Sequence, residues 1–239
     1  ALHKNAIRIL GAPHIVIQRI IDPRLLLLNK KRNVLNGHVP VSAIYAFLGL
    51  LAAALYDFSR IVASHEKSAN YGNVIYKGSA INHQWSKSRE FEKMFCAYVQ
   101  RYITPDIRYG SLLRRFDELE IVRRFSRFKK YFSVFSSCNA NFRITGRPKK
   151  RWCGACPKCA FVFLALAAYL PKKEVIDIFG KNLFADAALT SLFEELLGVY
   201  GIKPFECVGT PNETKRAFSR VIARGEFSRD AVIKKIYDA

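Results

Sequence analysis

The stretch Val39-Pro-Val-Ser-Ala-Ile-Tyr-Ala-Phe-Leu-Gly-Leu-Leu-Ala-Ala-Ala-Leu-Tyr56, closed by Asp57 and followed at once by Phe58-Ser-Arg-Ile-Val-Ala63, sets the expected fold class. Its first part is apolar on every side, yet short for a bilayer span and interrupted by Pro40, Ser42 and Gly49, so it reads as a core helix. Phe58 to Ala63 is a short β-favouring run and reads as a buried strand. A core helix feeding a strand predicts an α/β protein with a mostly parallel sheet, provided the neighbouring segments alternate in the same way.

They do so in both directions. Upstream, Leu2 to Leu10 has Leu2, Ala6, Ile9 and Leu10 on one side and reads as a helix ended by Gly11 and Pro13. His14 to Ile21 is dense in β-branched residues and predicts a second buried strand, closed by Asp22-Pro23. Downstream, Ser88 with Glu90 marks a helix start, and Phe91, Phe95, Tyr98 and Tyr102 recur at helical spacing. Leu112 to Phe128 predicts an amphipathic helix whose arginines form a solvated face. Tyr131 to Ser136 predicts a third strand. From Pro171 onward the chain reads as helical, with a loop over Lys203-Pro-Phe-Glu-Cys-Val-Gly209. The expected division is a partial α/β nucleotide-binding domain over residues 1–137 and a knuckle plus helical region over 138–239.

In parallel sheets ligands sit beyond the carboxyl ends of the strands. The polar run Ser64-His-Glu-Lys-Ser-Ala-Asn-Tyr-Gly-Asn73 follows such an end, and Asn82-His-Gln-Trp-Ser-Lys-Ser88 comes shortly after. His65, Glu66 and His83 bring acid–base groups close in sequence, although both runs also read as plain solvated loops. His38 sits in a turn and reads as structural. Cys96, on the apolar side of its helix, reads as core, and an inert buried thiol is the plain reading of Cys207.

The strongest local pattern is Cys138 followed by Cys153-Gly-Ala-Cys156-Pro-Lys-Cys159. Overlapping Cys-x-x-Cys spacings make tight knuckles around one ion, and Cys138, expected at the end of a strand, supplies the fourth tetrahedral corner. Gly154 relieves backbone crowding and Lys158 can offset thiolate charge. Four protein ligands leave no open position, so the metal would be structural. Zinc, an iron–sulfur cluster and metal-free reduced thiols are the three readings of such a tetrad.

Lysine and arginine number 39 against 19 aspartates and glutamates, a formal charge of +20. That balance favours an anionic partner, whether nucleic acid, lipid or a phosphorylated small molecule. Aromatics do not alternate with basic residues as a base-stacking platform would require, so nucleic acid is disfavoured. The uneven cysteines suit a reducing compartment, and no signal sequence or membrane span is read, so the expected location is the cytoplasm.

Together these runs resemble the ATP-dependent UDP-N-acetylmuramoyl-L-alanyl-L-glutamate epimerase family. The resemblance lies in Asn36-Gly-His-Val-Pro-Val-Ser-Ala43, the two polar runs with Phe91-Glu92, Ser137-Cys-Asn139, Trp152-Cys-Gly-Ala-Cys-Pro-Lys-Cys-Ala-Phe-Val162 and Lys203 to Gly209. It covers about His14 to Ala217; His65 departs from it, standing where asparagine is expected. That family looks like the PP-loop ATP pyrophosphatases, so the resemblance implies a PP-loop-type fold, a structural Zn2+, and cleavage of ATP with Mg2+ to AMP and pyrophosphate. It further implies a UDP-N-acetylmuramoyl-dipeptide substrate whose terminal glutamate is adenylated, loses its α-proton and regains one on the other face. His83 and Cys207 are then the leading proton-transfer pair, with Glu66 and Lys87 next. Ser68, Asn70, Gly72 and Asn73 become nucleotide contacts.

No Ser/Gly-Gly-Gly-Lys-Asp-Ser type turn occurs in the 239 residues. By the resemblance it would precede Ala1. The expectation is therefore a chain without the first βα unit, through truncation or loss from the gene, that does not turn over ATP unaided. An RNA-modifying PP-loop relative and a non-catalytic zinc-stabilised binding fragment are the competing readings.

Overall fold

A computed structural model describes residues 2–34, 39–72, 74–142 and 150–237; Asn73 and His38, singled out above, lie outside them. The elements run α1 (Leu2–Leu10), α2 (Pro23–Leu28), α3 (Val41–Leu55), β1 (Arg60–Ala63), β2 (Val74–Tyr76), β3 (Ser79–Ile81), α4 (Arg89–Tyr102), β4 (Arg108–Ser111) and α5 (Glu118–Phe125). The remainder is helical: α6 (Pro157–Ala167), α7 (Lys172–Phe179), α8 (Thr190–Leu197), α9 (Pro211–Arg224) and α10 (Ala231–Tyr237).

The core helix and the strand after it form as expected, as α3 and β1. β1 pairs in parallel with β4 in the register Arg60–Arg108 to Ala63–Ser111, while β2 and β3 make a separate antiparallel hairpin. Among the described residues the parallel sheet stops at two strands. The wider parallel sheet is thus corrected to one parallel pair within a largely helical chain. α4 crosses between β1 and β4, as a parallel connection requires. Ser88 caps it by accepting from Phe91 N at 3.1 Å. Phe91, Phe95 and Val99 of α4 pack with Ala46, Leu50 and Ala53 of α3 and with Ile107 into the first core. Tyr98 and Tyr102, expected on the same stripe, remain exposed on its margin.

His14 to Ile21 does not form a strand. It runs as irregular exposed chain, with Val16 76% and Ile20 83% accessible. β-branched composition favours a pleated, half-buried surface, and here no strand among the described residues offers a ladder for its N–H and C=O groups. The expected strand Tyr131–Ser136 is also replaced, by tight turns in which Phe132 N donates to Lys129 O and Val134 N to Tyr131 O, both at 3.0 Å. Side-chain geometry gives the reason. In a strand Phe132 and Phe135 would point to opposite faces, whereas three residues along a helical turn they share one. Both pack on Phe125, and Phe135 packs on Trp152 at 5.2 Å between ring centroids. Cys138 accordingly follows a turn rather than a strand. The helix expected over Leu112–Phe128 is confined to Glu118–Phe125, because Asp117 caps it by accepting from Glu120 N at 2.8 Å.

The second core is built on α6, which is apolar all round and therefore buried all round. Phe161, Phe163, Leu164 and Leu166 are its centre, against Phe193 and Val221 of α8 and α9 and against Phe184 and Phe227 from the turns between helices. Leu119, Val122 and Phe125 of α5 join this core although they precede residue 138 in the chain.

One carboxylate ties the two regions together. Glu213, 4% exposed, accepts from Thr210 N and Thr210 Oγ1 at 2.7 Å each, from Glu118 N at 2.6 Å and from Ser68 Oγ at 3.3 Å. It closes the capping box of α9, takes a free N–H at the start of α5 and holds the first polar run. Glu213→Ala is expected to lower folding stability by about 2–4 kcal/mol, since several donors lose a charged acceptor inside the protein. Urea denaturation measures it, and a change within about 0.5 kcal/mol would mean that water replaces the carboxylate without loss.

Candidate functional site

The carboxyl ends of β1 and β4 deliver the first polar run. Leu112 N donates to Ala63 O at 3.0 Å, and Ser111 Oγ donates to His65 O at 2.6 Å, so the chain leaves β1 alongside β4. Arg114 fixes the next residue: its NH1 donates to Glu66 O at 3.2 Å while its NH2 pairs with Glu92 at 2.9 Å, mostly buried. His65 Nε2 lies 3.1 Å from Tyr109 OH. Burial, reinforced by the Arg114 and Lys87 charges, pushes the His65 imidazole down from 6.5 to about 4, so it is neutral at physiological pH.

Two asparagine side chains clamp the two polar runs to each other. Asn70 Nδ2 donates to Lys67 O at 2.8 Å and its Oδ1 accepts from Arg89 N at 2.7 Å. Asn82 Nδ2 donates to Ala69 O at 2.8 Å and its Oδ1 accepts from Gln84 N at 3.0 Å. The clamp places His83 and Lys87 opposite the loop from Lys203 to Gly209. There Cys207 Sγ is 3.6 Å from His83 Nε2 and 3.6 Å from Lys87 Nζ, and the Phe205 ring packs on the His83 ring at 4.5 Å. Residues 120 or more apart in sequence thus form one thiol–imidazole–ammonium group. His83 and Cys207 are in contact in this structure, so they do not stand on opposite sides of a substrate-sized space.

Glu118 lies within electrostatic reach of Lys87. Burial pushes its carboxyl up from 4.5 to about 8, with the charges of Glu66 and Glu213 adding to the effect and Lys87 and Lys158 opposing it. Lys203 is driven down by burial and held up by Cys207, Glu213, Glu118 and Glu206. Perturbed groups with named charge partners mark sites where chemistry is arranged. Glu66 therefore belongs to the electrostatic neighbourhood, and Lys158 acts on Glu118 from the first turn of α6. Glu118 and Glu213 were missed in sequence. A signal existed for the second: Thr210-Pro-Asn-Glu213 has the capping-box spacing with proline at the first helical position.

Ser68 and Asn70 line a cleft of about 440 Å³ with Lys67, Tyr71, Asp117, Thr210, Asn212, Glu213 and Arg216. Arg216 and Asp117 are paired across it at 2.6 Å. Gly72 does not line it. A Cβ there would stand 3.2 Å from Ala80 Cβ and 3.3 Å from Ile81 O, so its smallness serves the packing of the hairpin.

The four sulfurs of Cys138, Cys153, Cys156 and Cys159 all lie within 4.8 Å of one another. Cys153 and Cys159 are 3.8 Å apart, Cys156 and Cys159 3.5 Å. A tetrahedral ion with sulfur at about 2.3 Å needs sulfurs about 3.8 Å apart, so the tetrad fits a four-sulfur metal centre. Cys153 N donates to Cys138 Sγ at 3.3 Å and Ala155 N to Cys153 Sγ at 3.5 Å, which orients the sulfurs as a knuckle does. Gly154 has φ +70°, a left-handed turn that explains its presence. Cys96 is seated between α4 and β4, its thiol donating to Tyr109 O at 3.1 Å. No helix among the described residues is long and apolar enough to cross a membrane.

Comparison with known proteins matches a family model described as the MurL N-terminal domain to residues 1–112 and one described as the MurL C-terminal domain to residues 134–239. The chain belongs to the MurL family. A UDP-N-acetyl-alpha-D-muramoyl-L-alanyl-L-glutamate epimerase of Xanthomonas oryzae pv. oryzae is 46% identical over 226 residues, covering 94% of this chain and 50% of the relative. Proteins of the same name from Salinispora tropica and a Micromonospora species are 41% and 40% identical over 229 residues, each covering 96% of this chain and 50% and 51% of the relatives. The chain thus spans about half the length of the curated relatives it matches. No solved structure matches it.

The opposed shifts of Glu118 and His65 make a pH prediction for this MurL-family chain. Between about pH 4.5 and 8 the folded state keeps a Glu118 proton that the unfolded chain has released, so this contribution to stability falls as pH rises. Between about pH 6.5 and 4 the unfolded chain protonates His65 while the folded one does not, so that contribution falls as pH drops. Glu118→Gln is expected to flatten the alkaline decline and to steepen the acid limb, where the Glu118 and His65 contributions oppose each other. Denaturant midpoints measured across both windows test this, and an unchanged alkaline slope would mean that Glu118 titrates as an ordinary carboxylate.

Proposed function

We propose that this chain is part of an ATP-dependent epimerase that inverts the terminal L-glutamate of UDP-N-acetylmuramoyl-L-alanyl-L-glutamate, a cytoplasmic peptidoglycan precursor. The reading rests on one observation: Cys207, His83 and Lys87 meet, with Glu118 in electrostatic reach of Lys87, within a chain similar to proteins that carry that epimerase name. An α-proton beside a free carboxylate is very weakly acidic, because its removal adds a second negative charge. Adenylating the carboxylate with ATP removes that charge and makes the enolate accessible. Magnesium, when bound, would neutralise the phosphates during this step.

In the proposed mechanism Cys207 and His83 act as one unit and take the α-proton on one face, with Lys87 facing the thiol. Glu118, which carries a proton at neutral pH, returns one on the other face, with Glu66 next to it. The cleft lined by Ser68 and Asn70 is the proposed nucleotide site, with Lys67 available to phosphates and Tyr71 to a base. Residues 1–137 are read as the nucleotide-binding part and 138–239 as the knuckle and helical part. Zinc is the proposed ion of the knuckle, held by four thiolates and structural in role.

Metal analysis of the purified protein is expected to give about one zinc per chain, and Cys156→Ser should lower both zinc content and melting temperature. Iron with sulfide in place of zinc, or a substitution that moves neither quantity, would remove zinc from the account.

The proton-transfer reading is tested with the UDP-dipeptide, ATP and Mg2+ in D2O, first with this chain alone and then with the unmatched half of the Xanthomonas relative supplied in trans. Deuterium at the glutamate α-carbon of the D-epimer is the expected product. His83→Ala should suppress that exchange by about 100-fold or more while adenylate formation survives. Equal loss of both steps would make His83 an ATP-orienting residue, and exchange in neither preparation would overturn the reading.

A further inference from the structure

Cys207 lies in a loop with little regular structure, yet its thiol is directed at two partners on another part of the chain. What holds it there can be followed bond by bond. Glu206 N donates to Pro204 O at 2.8 Å and Val208 N to Glu206 O at 2.9 Å. The second of these three-residue turns is centred on Cys207, so the direction of its side chain is set by the residues on either side. Downstream, Val208 is buried in the second core, and Gly209 lies so close to α6 that a Cβ would stand 2.6 Å from the Phe161 ring. Upstream, the Glu206 carboxylate accepts from Asn139 Nδ2 at 2.5 Å.

Both supports grow out of the cysteine knuckle. Asn139 directly follows Cys138, and Asn141 N donates to Cys138 O at 3.0 Å to fold the turn that carries it. α6 starts from Cys156 as its N-cap and has Cys159 in its first turn. The four sulfurs therefore clamp together the two elements between which the Cys207 loop is seated.

We propose that Asn139 is the positioning residue for Cys207, and that the cysteine knuckle works as the seat that holds the thiol against His83 and Lys87. The knuckle then does more than stabilise the fold: its geometry is transmitted through Asn139 and Glu206 to a reactive group on the far side of the loop. The proposal rests on the reading of Cys207 as a working thiol, but its test needs no turnover.

The test is covalent capture of the Lys87–Cys207 contact with succinimidyl iodoacetate. Its ester acylates the Lys87 amine with loss of N-hydroxysuccinimide, and its carbon–iodine bond is displaced by the Cys207 thiolate with loss of iodide. The bridged peptide is quantified by mass spectrometry on the intact 239-residue protein. The wild-type chain is expected to give the bridge. Asn139→Asp sets two carboxylates against each other and should lower the yield about tenfold, the scale of losing one charge-assisted hydrogen bond. Adding Glu206→Gln rebuilds the bond with its polarity reversed and should restore the yield. Metal content and melting temperature are followed in each variant. If Asn139→Asp does not fold, Glu206→Ala removes the same contact without like charges and is expected to give the same loss. An unchanged yield in a folded variant, no recovery in the double variant, or no bridge in the wild type would overturn the proposal. Absence of epimerisation would bear on the proposed function and leave this result standing.

Discussion

The Glu213 carboxylate takes four hydrogen bonds from three separate parts of the chain: Thr210 ahead of α9, the first residue of α5, and Ser68 after β1. Burying a carboxylate is costly unless its oxygens are fully bonded, and here each oxygen accepts two donors. Two helix N-termini face it, so their dipoles add to the stabilisation. The arrangement cannot be loosened one bond at a time without stranding charge in the interior. That property joins the β1 region, α5 and α9 at one point and leaves the cleft beside it.

The electrostatics of the neighbourhood follow from that junction. With the Glu213 carboxylate fully hydrogen-bonded, Glu118 lies beside it and within reach of Glu66. Three lysines, Lys87, Lys158 and Lys203, stand among these carboxylates, each from a different segment. The chain carries a large positive excess overall, yet here acids and bases are nearly balanced and partly withdrawn from water. Proton positions in such a place are set by burial and neighbours rather than by the solution value of each side chain.

The cysteine tetrad is the second fastening. It closes the turn carrying Asn139 onto the start of α6, and α6 is the helix on which the second core is assembled. A small cluster of ligands thereby controls both a core and the seat of a surface loop. Glu213 and the four cysteines fall in the stretch that matches the C-terminal domain model of the MurL family, and Ser68 in the stretch that matches its N-terminal one.

Local patterns in the sequence were sufficient for α3, β1, the Ser88 cap of α4 and the grouping of four cysteines, because each depends on near neighbours or on a spacing a metal imposes. Contact of His83 and Lys87 with Cys207 was not legible in spacing, since it depends on two asparagine clamps and a loop seated by Asn139. His14–Ile21 and Tyr131–Ser136 carry strand-like composition, but a strand needs a partner ladder, and for the second the aromatic side chains pack only from a helical turn. Glu118 is an ordinary helix-start glutamate by sequence. Its proton affinity was decided when tertiary packing buried it beside Glu66 and Glu213, because a carboxyl's charge is governed by the water and the charges around it, and those come from segments far away along the chain.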